Sequence, residues 1–237
     1  MLINADKCVG CSLCVETCPV EAIHMVEKQA VIDLDACLEC GNCKIAGVCK
    51  PDAIVQQTMV WPRLIRRILS NVRVAAPNTG IQGRGTEEMK TNDVTGRYQP
   101  GMAGVACELG RPGVGTDFRD VQTVAKVMLA NGAKLERDNP IALVFEDLEA
   151  GVIKQEYLAE RVLSVVLEAL IPRDNLPVLL KELDAVQHKV DTVFSLGVAS
   201  IMEDGAITTN DVVTGAGYSV RPNGKTCVGL GRPLKEI

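Results

Sequence analysis

Eight of the ten cysteines in this 237-residue chain fall between Cys8 and Cys49, and their spacing limits what that segment can become. The first group is Cys8-x2-Cys11-x2-Cys14-x3-Cys18-Pro19, and the second is Cys37-x2-Cys40-x2-Cys43-x5-Cys49-Lys50-Pro51. Three cysteines separated by two residues each let one tight loop present three thiolates to one face of an iron–sulfur cube. The fourth ligand must then come from elsewhere. A structural zinc site would instead draw two cysteines from each of two knuckles. A disulfide framework needs an oxidising compartment. The chain opens Met1-Leu2-Ile3-Asn4-Ala5-Asp6-Lys7-Cys8, without a basic region leading into an apolar run. No signal peptide is therefore expected, and thiolate metal binding is the preferred reading.

The same segment is an internal repeat. Asp6-Lys7-Cys8 matches Asp35-Ala36-Cys37, and Cys18-Pro19-Val20-Glu21-Ala22-Ile23 matches Cys49-Lys50-Pro51-Asp52-Ala53-Ile54. Each half reads as a short strand, a cysteine loop, a helical turn and a return strand, with strands expected at 2–4, 23–26, 30–33 and 54–56. On these motifs, residues 1–57 closely resemble the bacterial two-cluster ferredoxins. The resemblance implies two 4Fe–4S clusters with crossed ligation: Cys8, Cys11, Cys14 and Cys49 hold one cluster, and Cys37, Cys40, Cys43 and Cys18 the other. The one departure is the longer gap before Cys49, Lys44-Ile45-Ala46-Gly47-Val48, which a surface loop accommodates at little entropic cost. Backbone N–H groups near Gly10 or Gly41 are expected to hydrogen-bond the sulfurs. His24 falls in a return strand and reads as an exposed strand residue rather than a ligand, because the cysteine set is complete.

Composition excludes other classes. The formal net charge of −5 argues against a nucleic-acid protein. No stretch is long and apolar enough to suggest a membrane span. With three Phe, three Tyr and one Trp, any core must be built from aliphatic residues. A cytoplasmic location is expected.

Residues 58–87 change character. Trp61-Pro62-Arg63-Leu64-Ile65-Arg66-Arg67-Ile68-Leu69 is basic and amphipathic, with Leu64, Ile65, Ile68 and Leu69 forming an apolar stripe on a helix. It reads as a helix packed across a domain junction with a solvated arginine face. The alternative is a docking strip for an acidic partner. A Gly-rich linker follows, 76–85, whose glycines do not have the order of a phosphate-binding loop.

Residues 88–237 carry a second, weaker repeat. Thr91-Asn92-Asp93-Val94-Thr95-Gly96 recurs as Thr209-Asn210-Asp211-Val212-Val213-Thr214-Gly215. Cys107-Glu108-Leu109-Gly110-Arg111-Pro112 recurs as Cys227-Val228-Gly229-Leu230-Gly231-Arg232-Pro233. Strands are expected at 102–109, 141–146, 192–202 and 226–230. Helices are expected at 118–131, 155–171 and 176–190. The stretch Arg111-Pro112-Gly113-Val114-Gly115-Thr116-Asp117-Phe118 ahead of a helix is similar to ACT regulatory domains. That similarity implies a βαββαβ sandwich, duplicated here, and so an α+β chain overall. Asn92, Asp93, Asn210 and Asp211 read as turn chemistry rather than a paired site. Cys107 and Cys227 read as buried thiols. With only His24 and His188 available, no Ser-His-Asp or Cys-His set can be composed, and His188 reads as structural.

The expectation is an iron–sulfur electron-transfer protein or subunit serving a larger oxidoreductase, with residues 88–237 docking, dimerising or regulating. The alternative is a ligand sensor whose C-terminal domain controls electron flow through the clusters. A self-contained enzyme ranks last, and no catalytic residues are assigned.

Overall fold

The computed structural model describes residues 1–82, 96–111 and 113–221. The N-terminal unit is built from two short antiparallel ladders. Strand β1 (Leu2–Ile3) pairs with β4 (Ile54–Val55), and β2 (Ile23–Val26) pairs with β3 (Gln29–Ile32). Helix α1 (Asn42–Ile45) is one turn within the second cysteine loop. The four strands lie within a residue of the positions expected from sequence. The sequence repeat is visible in the backbone. Left-handed φ values recur at equivalent places: Gly10 and Glu39, Ser12 and Gly41, Glu21 and Asp52. Matching side-chain turns open both loops. Asn4 Oδ1 accepts from the amides of Asp6 (3.0 Å) and Lys7 (3.3 Å), and Asp33 Oδ1 accepts from those of Asp35 (2.8 Å) and Ala36 (3.3 Å).

Helix α2 (Leu64–Ser70) joins this unit to the rest of the chain. Its apolar stripe is as expected, with Ile65, Ile68 and Leu69 buried in the main core. Its arginines are not on a solvated face. Arg66 is buried, and Arg63 and Arg66 both bond groups of their own chain. The docking-strip alternative therefore loses its basis at these two residues. Periodicity identified the helix, but nothing in it reports what lies opposite the polar side.

The C-terminal unit is organised on one four-stranded antiparallel sheet. In chain order its parts are β5 (Met102–Leu109), β6 (Thr116–Asp117), α3 (Phe118–Ala130), β7 (Lys134–Leu135), β8 (Phe145–Asp147), β9 (Val152–Ile153), β10 (Arg161–Val162), β11 (Val165–Pro172), α4 (Leu176–Val186) and β12 (Phe194–Ala199). The large sheet has the order β12-β5-β11-β7, with small ladders β10-β6 and β8-β9 beside it. Strands β5, β7, β11 and β12 with helices α3 and α4 make one βαββαβ unit. A hairpin, β13 (Met202–Glu203) with β14 (Ala206–Ile207), and helix α5 (Thr208–Gly215) follow.

The core is aliphatic, as the scarcity of aromatics requires. Val121, Val124, Ala125 and Met128 of α3 and Leu179 and Leu183 of α4 bury against Val105, Cys107, Leu167 and Ala169 of the central strands. Asp117 caps α3 by accepting from the Asp120 amide at 3.0 Å. On the other sheet face Tyr98 lies against Gly104, where a Cβ would fall 2.3 Å from the ring.

Several expectations are corrected. Residues 155–171 do not form a helix. They contain a 3-10 turn (Gln155–Tyr157), β10 and β11. Residues 141–146 are mostly a 3-10 turn (Pro140–Val144) leading into β8. Residues 192–202 hold β12 and the start of β13 rather than one strand. Asn210 and Asp211 lie on α5, not in a turn. Among the described residues there is one βαββαβ unit. Of the repeated blocks, 91–95, Pro112 and 227–233 fall outside the described residues, as do Asn92, Asp93, Cys227 and the strand expected at 226–230.

Gly104 gives a direct test of this packing. Gly104→Ala should destabilise the protein by about 1–3 kcal/mol through overpacking, and the same change should cost far less in a Tyr98→Ala background. Chemical denaturation of the four variants measures the coupling.

Candidate iron–sulfur site

The two cysteine loops bracket two open cavities at the core of the N-terminal unit. The first is ringed by Cys8, Cys11, Cys14 and Cys49, and the second by Cys18, Cys37, Cys40 and Cys43. Each cavity thus gathers three cysteines of one motif and the last cysteine of the other. This crossing follows from chain direction. After each loop the chain passes across the unit to begin its return strand, carrying Cys18 and Cys49 to the opposite cavity.

The remaining lining is apolar. Ile3, Ala30 and Ile54 wall the first cavity, and Met1, Ile23 and Ile32 the second. Backbone amides that follow the loops donate to sulfurs: Ala22 to Cys18 (3.2 Å), Ala53 to Cys49 (3.2 Å) and Ala30 to Cys8 (3.5 Å). Ala22 and Ala53 are repeat equivalents, so the two halves tune their sulfurs alike. Within the second loop the amides of Glu39, Asn42 and Lys44, around Gly41, also favour the thiolates of Cys37, Cys40 and Cys43, as the sequence led one to expect near that glycine.

Electrostatics group the thiols in the same two sets. Burial pushes the Cys14 thiol up, and Cys11, Cys8 and Cys49 push it further. Burial pushes Cys43 up to about 12, with added repulsion from Cys40, Cys37 and Cys18. Cys40 is likewise raised, by burial and then by Cys37 and Cys18. Four thiolates around one apolar cavity need a cation centre to hold them, and coordination deprotonates the thiol outright. The thiols surround a space, which suits a polynuclear centre. The residues fit a 4Fe–4S cube in both donor chemistry and number.

The comparisons agree. Residues 1–24 match the family described as "4Fe-4S binding domain". A "Ferredoxin 7Fe" of Hydrogenibacillus schlegelii is 39% identical over 70 residues, which is 27% of this chain and 87% of that protein. The chain belongs to the bacterial ferredoxin family. A "Ferredoxin" of Alicyclobacillus acidocaldarius subsp. acidocaldarius is 46% identical over 60 residues, covering 24% of this chain and 74% of that protein. An "Uncharacterized ferredoxin-like protein" of Haemophilus influenzae is 33% identical over 76 residues, covering 27% of this chain and 88% of that protein. No solved structure matches. These likenesses concern the N-terminal quarter, where this ferredoxin carries iron–sulfur chemistry for electron transport. Among its described residues no helix is long and apolar enough to cross a membrane.

The other candidates take no part. His24 is exposed on β2, opposite Val31, and His188 is exposed in a 3-10 turn. Cys107 is fully buried on β5, with its thiol pushed far up by burial and then by Glu108. The residues that sequence reading missed are charged ones around the second loop. Glu39, fully buried, accepts from Arg63 Nη2 at 2.8 Å and also pairs with the Met1 amino group. Burial alone would raise its carboxyl, but those two cations hold it below the usual carboxylate range. Glu39 stands where the first loop has Gly10, a mismatch visible in the repeat.

Gly10 has a positive φ of 71°, and a Cβ there would sit 2.3 Å from the Lys28 carbonyl oxygen. Gly10→Ala should therefore lower the iron-to-protein ratio and the melting temperature together. Gly47→Ala, at φ 64° with nothing within 4 Å, should change the iron content little. Iron assay and thermal unfolding of the two variants make the comparison.

Proposed function

We propose that this ferredoxin carries two 4Fe–4S clusters and passes single electrons to or from a larger oxidoreductase in the cytoplasm. The observation that supports this most is the pair of cavities, each with three cysteines of one motif and one of the other. Bound clusters would supply reversible one-electron chemistry at potentials set by their surroundings. The protein's own part is to hold the sulfurs, direct amides at them and keep water away. Cys8, Cys11, Cys14 and Cys49 are the proposed ligands of the first centre, and Cys18, Cys37, Cys40 and Cys43 of the second. One relative's name records seven irons. Here each cavity has four thiols, a full set for a four-iron cube, which favours eight. The C-terminal unit is proposed to dock the redox partner or a second copy of the chain.

Anaerobically purified protein should hold about eight irons and eight acid-labile sulfides per chain. Stoichiometric zinc without sulfide would overturn the reading, and seven irons would restrict it to one full cube.

The crossed ligation has its own test. Cys18→Ala should lose the centre held mainly by Cys37, Cys40 and Cys43, and Cys49→Ala the one held mainly by Cys8, Cys11 and Cys14. Electron paramagnetic resonance of the reduced variants, each compared with a variant of the matching loop, distinguishes this from two self-contained motifs.

A further inference from the structure

The two cysteine loops are equivalent in sequence and backbone, yet their surroundings differ. Val9 in the first loop is 70% exposed, whereas its counterpart Leu38 is 2% exposed. Leu38 lies at the C-terminal unit, where a Cβ on Gly115 would be 3.3 Å from its Cδ1. Burial of this kind disfavours adding negative charge and so lowers a reduction potential. Left alone, it would make the second centre the harder of the two to reduce.

Arg66 of α2 reaches this loop. Its Nη1 donates to the carbonyls of Asp35 (2.8 Å) and Cys37 (3.0 Å), and its Nε pairs with Glu160 of the C-terminal unit. The guanidinium thus has the cysteine loop on one side and the carboxylate on the other. Among the described residues no arginine or lysine donates to the equivalent carbonyls, Asp6 and Cys8, of the first loop. The other charges beside the second loop are Glu39, Arg63 and the Met1 amino group, and there Glu39 is met by both cations.

We propose that Arg66 is a positioning residue that raises the reduction potential of the second centre alone, with Glu160 moderating its charge from the C-terminal unit. This rests on the two-cluster reading above. A fixed positive charge in a buried setting stabilises the more negative, reduced state, and its effect falls with distance. The Met1–Arg63–Glu39 group adds a net positive charge of its own beside the second loop, and Arg66 differs from it in bonding the loop's backbone carbonyls directly. Arg66 therefore offsets the burial penalty and keeps an electron able to pass between the centres. One electron leaves one site and arrives at the other, with no further reactant. Because Glu160 belongs to the C-terminal unit, any movement there that loosens the pair strengthens the field on the second centre.

The test is a redox titration of the full-length, iron-loaded protein followed by electron paramagnetic resonance, after iron analysis has established two centres. Arg66→Gln should lower one midpoint and leave the other in place. Glu160→Gln should raise that same midpoint, since the guanidinium keeps its charge without its counter-ion. A threefold change in the reduced-to-oxidised ratio at fixed potential is expected in each, about 28 mV at 59 mV per tenfold for one electron. Arg66→Lys should stay near the parent value. Glu160→Gln serves as the test if Arg66→Gln does not load iron. A purely structural clasp would make Arg66→Gln and Glu160→Gln shift in the same direction. That result, or two unmoved midpoints, would overturn the proposal, whereas an iron count showing one centre would instead overturn the two-cluster reading.

Discussion

Each cavity needs four soft donors, and a short loop can supply only three. That shortage governs the N-terminal unit. The fourth sulfur must cross from the other half, so neither half can close its own site. Cys18 and Cys49 therefore tie each half to the other half's cavity. The hydrophobic cluster around them is small, built on residues such as Met1, Ile23, Ile32 and Ile54. A unit of this size seldom has enough apolar burial to be stable alone. Under the proposed crossed ligation, metal coordination linking both halves would add folding free energy that so small a core lacks.

The second loop is where the two units meet. Helix α2 places its apolar side in the main core, and Arg63 at its start and Arg66 within it bond the ferredoxin unit. Buried charges of this kind are costly unless every one finds a partner. Glu39 has Arg63 and the Met1 amino group, and Arg66 has Glu160 and three carbonyls. The result is a junction whose geometry depends on specific pairs rather than on area. It also leaves the first loop open, with Cys11 exposed and Val9 and Leu13 around it. An electron donor or acceptor can approach that side, while the second side faces the chain's own C-terminal unit.

The misread stretch 155–171 shows why periodicity alone fails in the middle of a sheet. Strand β11 is central, pairing β5 along its whole length and β7 at its end. Both of its faces are covered, and seven positions from Val165 to Ile171 are buried or nearly so. A strand buried on both sides does not alternate, so its apolar residues satisfy a helical pattern just as well. The β-branched Val162, Val165 and Val166 and the terminal Pro172 were signals for a strand.

The sequence by itself determined the chemistry of this ferredoxin. Thiolate spacing and the internal repeat are local properties, and they located the cysteine loops, the four small strands and the expected crossing of ligands. The helix at α3 was equally legible, because a one-sided apolar pattern needs no knowledge of neighbours, and β5 was legible as a run of small and β-branched residues closed by Gly110. What lies across space was decided only by the tertiary structure. The sheet order β12-β5-β11-β7 sets which strands are central, and so which segments are buried on both faces. The contacts of Arg66 join residues separated by 94 positions to Glu160 and by 29 to Cys37. An arginine on an amphipathic helix looks solvated until the fold supplies a half-buried carboxylate and a row of carbonyls. Desolvation, and with it the value of each charge, is a property of the assembled chain.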